Sequence, residues 1–77
     1  LFYFTRIVEC GSVTAAALEL RIGQPALSMQ LKELEGRLGN LFERRGKTLH
    51  LTERGKVIYK YAREIFDRGE ELLGVVD

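Results

Sequence analysis

Gln24-Pro25-Ala26-Leu27-Ser28-Met29-Gln30-Leu31 reads as the opening of a helix that starts beside Gly23 and buries only one edge. Leu27, Leu31, Leu34 and Leu38 keep the i, i+4, i+7 rhythm of a core-facing stripe, while Pro25, Ser28, Met29 and Lys32 fall on another face. That outward face is small, polar and adaptable. Immediately upstream, Val13 to Leu20 predicts a shorter helix, and Arg21-Ile22-Gly23 a tight turn between the two. The pattern is that of a helix-turn-helix, whose second helix enters a DNA major groove.

Working outward, Leu1, Phe4 and Val8 place one face of a first helix, which Gly11 ends. Ser12 is positioned to cap the second helix, whose buried stripe is Val13, Ala16, Ala17 and Leu20; the alanines permit close helix contact. Downstream, Leu41 to Arg44 and Thr48 to Leu51 predict two short strands around Arg45-Gly46-Lys47, anchored by Phe42, Leu49 and Leu51. Thr52 is placed to cap a last helix. Along it Ile58, Tyr61, Ala62, Ile65, Gly69, Leu72 and Val76 share one stripe, with Lys56, Lys60, Arg63, Asp67 and Glu71 elsewhere. A helix over 53–76 would span about 36 Å, whereas a compact chain of this length has a radius of gyration of roughly 11 to 12 Å. Beyond the first two turns the stripe therefore calls for a partner.

The chain has 77 residues, enough for one small core, and its 45% hydrophobic content is ordinary for a globular chain. Cys10 is the only cysteine, which gives neither a disulfide framework nor a metal set; a reducing, cytoplasmic compartment follows, with Cys10 as a small buried residue. No apolar run is long enough to span a bilayer, so no membrane association is expected. The first residue is Leu1 rather than Met, as in a piece of a longer protein. Net charge is only +1, but it is unevenly placed. Arg44, Arg45, Lys47, Arg54, Lys56, Lys60 and Arg63 face only Glu43 and Glu53 between residues 41 and 63, a local excess of about five positive charges. Basic turns of this kind reach phosphates or a narrow minor groove.

Gly11-Ser12-Val13-Thr14 with Ala16-Ala17, then Gln24-Pro25-Ala26-Leu27-Ser28, Leu34-Glu35, Leu38-Gly39, Leu41-Phe42-Glu43-Arg44 and Leu51-Thr52-Glu53 together resemble the LysR-type transcriptional regulators over nearly the whole chain. The loop at Leu38-Gly39-Asn40-Leu41-Phe42 and the segment Tyr59-Lys60-Tyr61-Ala62 are similar to that family's sodium/proton-antiporter activator branch. The resemblance implies an all-α class of fold: a winged helix-turn-helix over 1–52 with a short two-stranded wing, and a linker or dimerisation helix over 53–77. It also implies an antiparallel homodimer through that helix, with Gly69 allowing close approach. A small-molecule or ion effector would bind only a further domain absent from this chain. The sequence departs from the family pattern at Gly23, where Ser is usual, at Ala15 and Met29, where Arg is common, and in the loop after Gly39, which is one residue short and lacks a proline.

On this scaffold Gln24 can pair bidentately with adenine, Pro25 can pack on a thymine methyl, and Ser28 can meet a base edge or phosphate. Met29 faces away from the leucine stripe towards base or sugar, Lys32 towards phosphate, and Arg45 and Lys47 carry the wing to the backbone. The expected partner is double-stranded DNA. The alternative is a winged-helix protein-interaction module, in which Gln24, Ser28 and Met29 would meet a protein instead. Nothing points to an enzyme or a cofactor: His50 lies between Leu49 and Leu51 on a strand, no glycine-rich phosphate loop is present, and Glu33 and Glu35 are two apart and diverge on a helix.

Overall fold

The computed structural model describes the backbone of residues 2–46 and 48–76 and the side chains of 2–46 and 48–65. Its elements are α1 (Phe2–Cys10), α2 (Val13–Leu20), α3 (Gln24–Leu38), β1 (Phe42–Arg45), β2 (Thr48–Leu51) and α4 (Glu53–Val76). Helix boundaries follow local capping chemistry. Gly11, at φ +84°, closes α1 by donating to Ile7 O at 3.0 Å, a conformation that costs glycine little. The Ser12 hydroxyl accepts the Ala15 N–H at 3.0 Å and starts α2. The end of α2 is less expected: Arg21 takes the left-handed conformation (φ 57°), with Arg21 N–H on Leu18 O and Ile22 N–H on Ala17 O. This pairing is a Schellman motif, completed by Ile22 packing back onto the core. For a non-glycine residue it costs about 1 to 2 kcal/mol, which the two satisfied carbonyls offset.

The central core is Ile7, Ala16, Ala17 and Leu27, sealed by half-buried Val13, Ile22, Leu31, Phe42 and Leu49. The two alanines let α2 approach α1 and α3 closely, as expected. In α1, however, the buried residues are Phe4, Thr5 and Ile7, Val8 is only half-buried, and Leu1 lies outside the described residues. Helix α1 lies against α2, α3 and α4 at once, so its inward face is wider than one i, i+4 row. Phe4 holds a second centre, with ring contacts to Phe42 at 5.4 Å and Tyr59 at 6.3 Å. Ion pairs tie α1 to α2 (Arg6–Glu19, 2.6 Å) and to α4 (Glu9–Arg63, 3.6 Å).

The hairpin begins one residue later than the sequence pattern places it. Leu41 is buried ahead of β1: its carbonyl still accepts Thr52 N–H (3.0 Å) in register, but its own N–H goes to the Glu35 carboxylate (2.8 Å) and the Thr52 carbonyl to Lys56 N–H (2.9 Å), so this pair keeps only one ladder bond. Strands β1 and β2 pair antiparallel as Phe42↔Leu51, Glu43↔His50, Arg44↔Leu49 and Arg45↔Thr48. Paired residues share a face, so Phe42, Arg44, Leu49 and Leu51 look inward and Glu43, Arg45, Thr48 and His50 outward. Thr52 caps α4 through its hydroxyl, which accepts Gly55 N–H at 3.0 Å. The radius of gyration, 13.4 Å, exceeds the compact value because the 24-residue α4 outruns the core.

Cys10 is half-buried, as expected for a small packing residue, and its thiol donates to Glu19 at 3.1 Å. Glu19 also accepts Arg6 N–H groups at 2.6, 2.7 and 3.1 Å. Arg6 first, then the thiol, holds the Glu19 carboxyl below its ordinary range, while the bond to Glu19 and then burial push the thiol up. A carboxylate with a depressed folded-state pKa adds stability above its unfolded value, about 4.3, and loses it as pH falls through the folded value. The stability difference between parent and Glu19→Gln should therefore be full near pH 6 and shrink on acidification below pH 4. The same variant should speed iodoacetamide labelling of Cys10 at pH 8, since the thiolate no longer faces a carboxylate.

Candidate nucleic-acid interface

Helix α3 presents its outward face as the leucine stripe requires. Leu27 is fully buried and Leu31, Leu34 and Leu38 half-buried, which turns Gln24, Pro25, Met29 and Lys32 to solvent with Ser28 half-exposed. Gly23 supplies an extended N-cap without a side-chain bond, and Pro25 sits in the first turn, where a missing N–H is harmless. Gln24 donates its amide to the Ser28 hydroxyl at 2.9 Å, so the two polar residues form one preorganised pair. Met29 is 72% exposed. It is an apolar side chain set in water among the polar residues of that face.

Beside this face lies a cleft of about 520 Å³ between α3 and the wing, lined among others by Pro25, Ser28, Met29, Lys32 and Arg44. A smaller one joins Gln24 and Arg44 to the start of α2 at Ser12, Val13 and Thr14. Arg44 borders both. Its guanidinium has no hydrogen bond or ion pair among the described residues. Arg45, the wing arginine singled out by the sequence pattern, lies on the opposite face of β1 and is braced by Glu43 at 2.6 and 3.0 Å. Arg44 shares the face of Phe42, two residues before it, and Arg45 the face of Glu43. Period-2 alternation, counted from the anchor Phe42, was the signal that could have found Arg44. Lys47 falls outside the described residues.

On the outer wing face the Thr48 hydroxyl donates its proton to Arg45 O (2.9 Å), so His50 Nε2, 2.8 Å from Thr48 Oγ1, is the donor to that hydroxyl. His50 is exposed and structural. Among the described residues no cluster of three potential metal ligands occurs, and no helix is long and apolar enough to cross a membrane.

The apolar stripe of α4 separates into two. Ala62 is completely buried and Ile58 half-buried against the chain's own core, which corrects their placement on a partner-facing stripe. Tyr61 and Ile65 are 59% and 58% exposed, and Val57, absent from the predicted stripe, is 54% exposed. The outward row is thus Val57, Tyr61 and Ile65, at i, i+4, i+8. Gly69, Leu72 and Val76 lie outside the residues whose side chains are described.

The family described as bacterial regulatory helix-turn-helix protein, lysR family, matches residues 1–56. The chain belongs to the LysR family. Transcriptional activator protein NhaR of Escherichia coli is 37% identical over all of this chain, and the nitrogen assimilation regulatory protein nac of Escherichia coli is 44% identical over 92% of it. This LysR domain spans only about a quarter of those relatives, 26% and 24%. Among solved structures it is similar to the DNA-binding domain of BenM in complex with benA site 1 DNA (TM-score 0.87, 36% identity, 96% of this chain and 84% of that one). It is likewise similar to the LysR family transcriptional regulator CbnR (TM-score 0.78, 34% identity, 90% of this chain and 24% of that one). The winged helix-turn-helix expected from the sequence is therefore the LysR fold, and its relatives are named as bacterial regulators of transcription rather than as enzymes.

Proposed function

We propose that this chain is the sequence-reading head of a bacterial transcriptional regulator and binds duplex DNA as a homodimer in the cytoplasm. The observation that carries the reading is the solvent-facing side of α3, where the Gln24–Ser28 pair, exposed Met29 and Lys32 adjoin a cleft closed on its far side by Arg44. With α3 in a major groove, Gln24 and Ser28 meet base edges, Pro25 and Met29 meet methyl groups or sugars, and Lys32 meets phosphate. Arg44 then reaches the backbone strand that passes between helix and wing, and Arg45 and Lys47 meet backbone or minor groove at the wing tip. The likeness to the BenM domain seen with DNA supports this docking. Residues 1–52 read and the helix over 53–77 joins two heads, through the outward row Val57, Tyr61 and Ile65; any effector acts through parts of a longer protein outside this chain.

Reading and anchoring separate by mutation. Gln24→Ala should cost about 1 to 3 kcal/mol on the preferred duplex and relax preference at one base pair per half-site, with random duplex bound nearly as before. Arg44→Ala and Lys47→Ala should instead weaken both duplexes alike and each reduce the log–log salt slope by about one per lost contact. Affinities on preferred and scrambled duplexes at several salt concentrations decide it. Equal losses on both duplexes for Gln24→Ala would remove its base-reading role, and a salt slope unmoved by both basic substitutions would remove the wing from the interface.

A further inference from the structure

The carboxylate of Glu35 has no ion pair among the described residues, although it borders the cleft shared with Lys32 and Arg44. Instead, its Oε2 accepts two backbone N–H groups, Leu41 at 2.8 Å and Phe42 at 3.3 Å, at the entry to the wing. Glu35 is eleven residues past Gln24 on the same helix, about 16 Å along the axis, so it stands far from the base-reading end. A negative charge would repel a nearby phosphate. Its use here is to bind backbone amides, a charge-assisted arrangement stronger than a neutral one.

Leu41 is held from the other side as well. Its carbonyl accepts Thr52 N–H at 3.0 Å, and the Thr52 hydroxyl donates to Asn40 O at 2.7 Å. The link from α3 to β1 is only Gly39, Asn40 and Leu41, and Gly39 turns it at φ +88°. One residue, Leu41, thus joins α3 through Glu35 and the start of α4 through Thr52. No other side chain of α3 donates to or accepts from the wing's backbone among the described residues.

We infer that Glu35 is a positioning residue for DNA binding: its carboxylate locks the wing to α3, so that phosphate contacts from the wing fall in register with base contacts from the helix. The inference rests on the DNA-reading function proposed above. Without the lock, the wing would pivot about the short link while α3, held by Leu27 and the central core, keeps its place. The isosteric Glu35→Gln keeps an acceptor oxygen at the same position and should behave as the parent.

The test is hydroxyl-radical footprinting, with a salt titration, on a duplex selected by the parent chain from a randomised pool. Glu35→Ala, folded by circular dichroism, should retain the protection and base preference of α3, lose protection on the wing side, and lower the salt slope by about one per protomer. Glu35→Gln should restore both. A second variant carries a glycine inserted between Gly39 and Asn40, with Glu35 intact. If Glu35 fixes the wing, its footprint stays in place; if link length fixes it, the footprint moves and the inference fails. Wing protection and salt slope equal to the parent's in folded Glu35→Ala overturn the inference alone. A parent that selects and protects no duplex overturns the DNA reading, and this inference with it.

Discussion

Gly55→Ala is expected to destabilise the domain by about 2 to 4 kcal/mol, although alanine is the better helix former by about 1 kcal/mol. Gly55 is buried in the first turn of α4, and a Cβ there would overlap the Leu41 carbonyl oxygen and meet Leu51 Cδ2 at 2.9 Å. The oxygen belongs to the peptide held by Glu35 and Thr52, so it cannot rotate aside as a flexible side chain would. The helix must instead move off the wing. The control is Gly36→Ala in α3, where an added Cβ meets nothing within 4 Å, so propensity alone should stabilise by about 0.5 to 1 kcal/mol. Urea unfolding of both variants, with unchanged slopes, checks the pair. Destabilisation at Gly36 equal to that at Gly55 would show that the close approach to Leu41 is not what the glycine serves.

Ile65→Glu should turn the proposed dimer into a monomer. Ile65 is 58% exposed in the single chain, on the row of Val57 and Tyr61 facing away from its own core, so the substitution removes no intrachain packing of consequence. In a two-fold pair it places two carboxylates in the contact, where leaving a charge unpaired and desolvated costs several kcal/mol. Sedimentation equilibrium should show the parent as a dimer and the variant as a monomer with the same thermal melt. Affinity for a two-half-site duplex should fall by about 10²-fold or more, as the second binding event ceases to be intramolecular. Identical sedimentation of parent and variant would exclude this face of α4 as the contact. Ala62→Ser offers the converse, since a hydroxyl at that fully buried site should lower stability without altering the oligomer.

The contrast between neighbouring residues shows where the sequence could be read. Ser12, Pro25 and Thr52 announce helix starts through their own side chains or ring, a signal confined to one turn, and α2, α3 and α4 begin where these residues place them. The leucine stripe of α3 was similarly plain, because a helix packed on one side has one inward row. Helix α4 is different: Ala62 and Ile65 lie close enough around the axis to share a stripe by periodicity, yet one is in the core and the other in solvent. Only the packing of α4 on the rest of the domain divides them. Arg44 rather than Arg45 was legible from alternation with Phe42, whereas the late start of the strand has a tertiary cause, since the Leu41 N–H is taken by Glu35, six residues before it. Arg21 in a left-handed turn was also beyond local reading, because its cost is offset by the two carbonyls the turn satisfies together with Ile22 reaching the core.

The central claim is that this chain binds duplex DNA by neutralising phosphates around a base-reading helix. Its most direct test is the affinity of the chain for the duplex it selects from a randomised pool, titrated from about 50 to 200 mM salt beside a scrambled duplex. The account predicts a steep linear fall of log affinity with log salt on both duplexes, and tighter binding of the selected one at every point. Binding indifferent to salt, or equal on the two duplexes throughout, would contradict it.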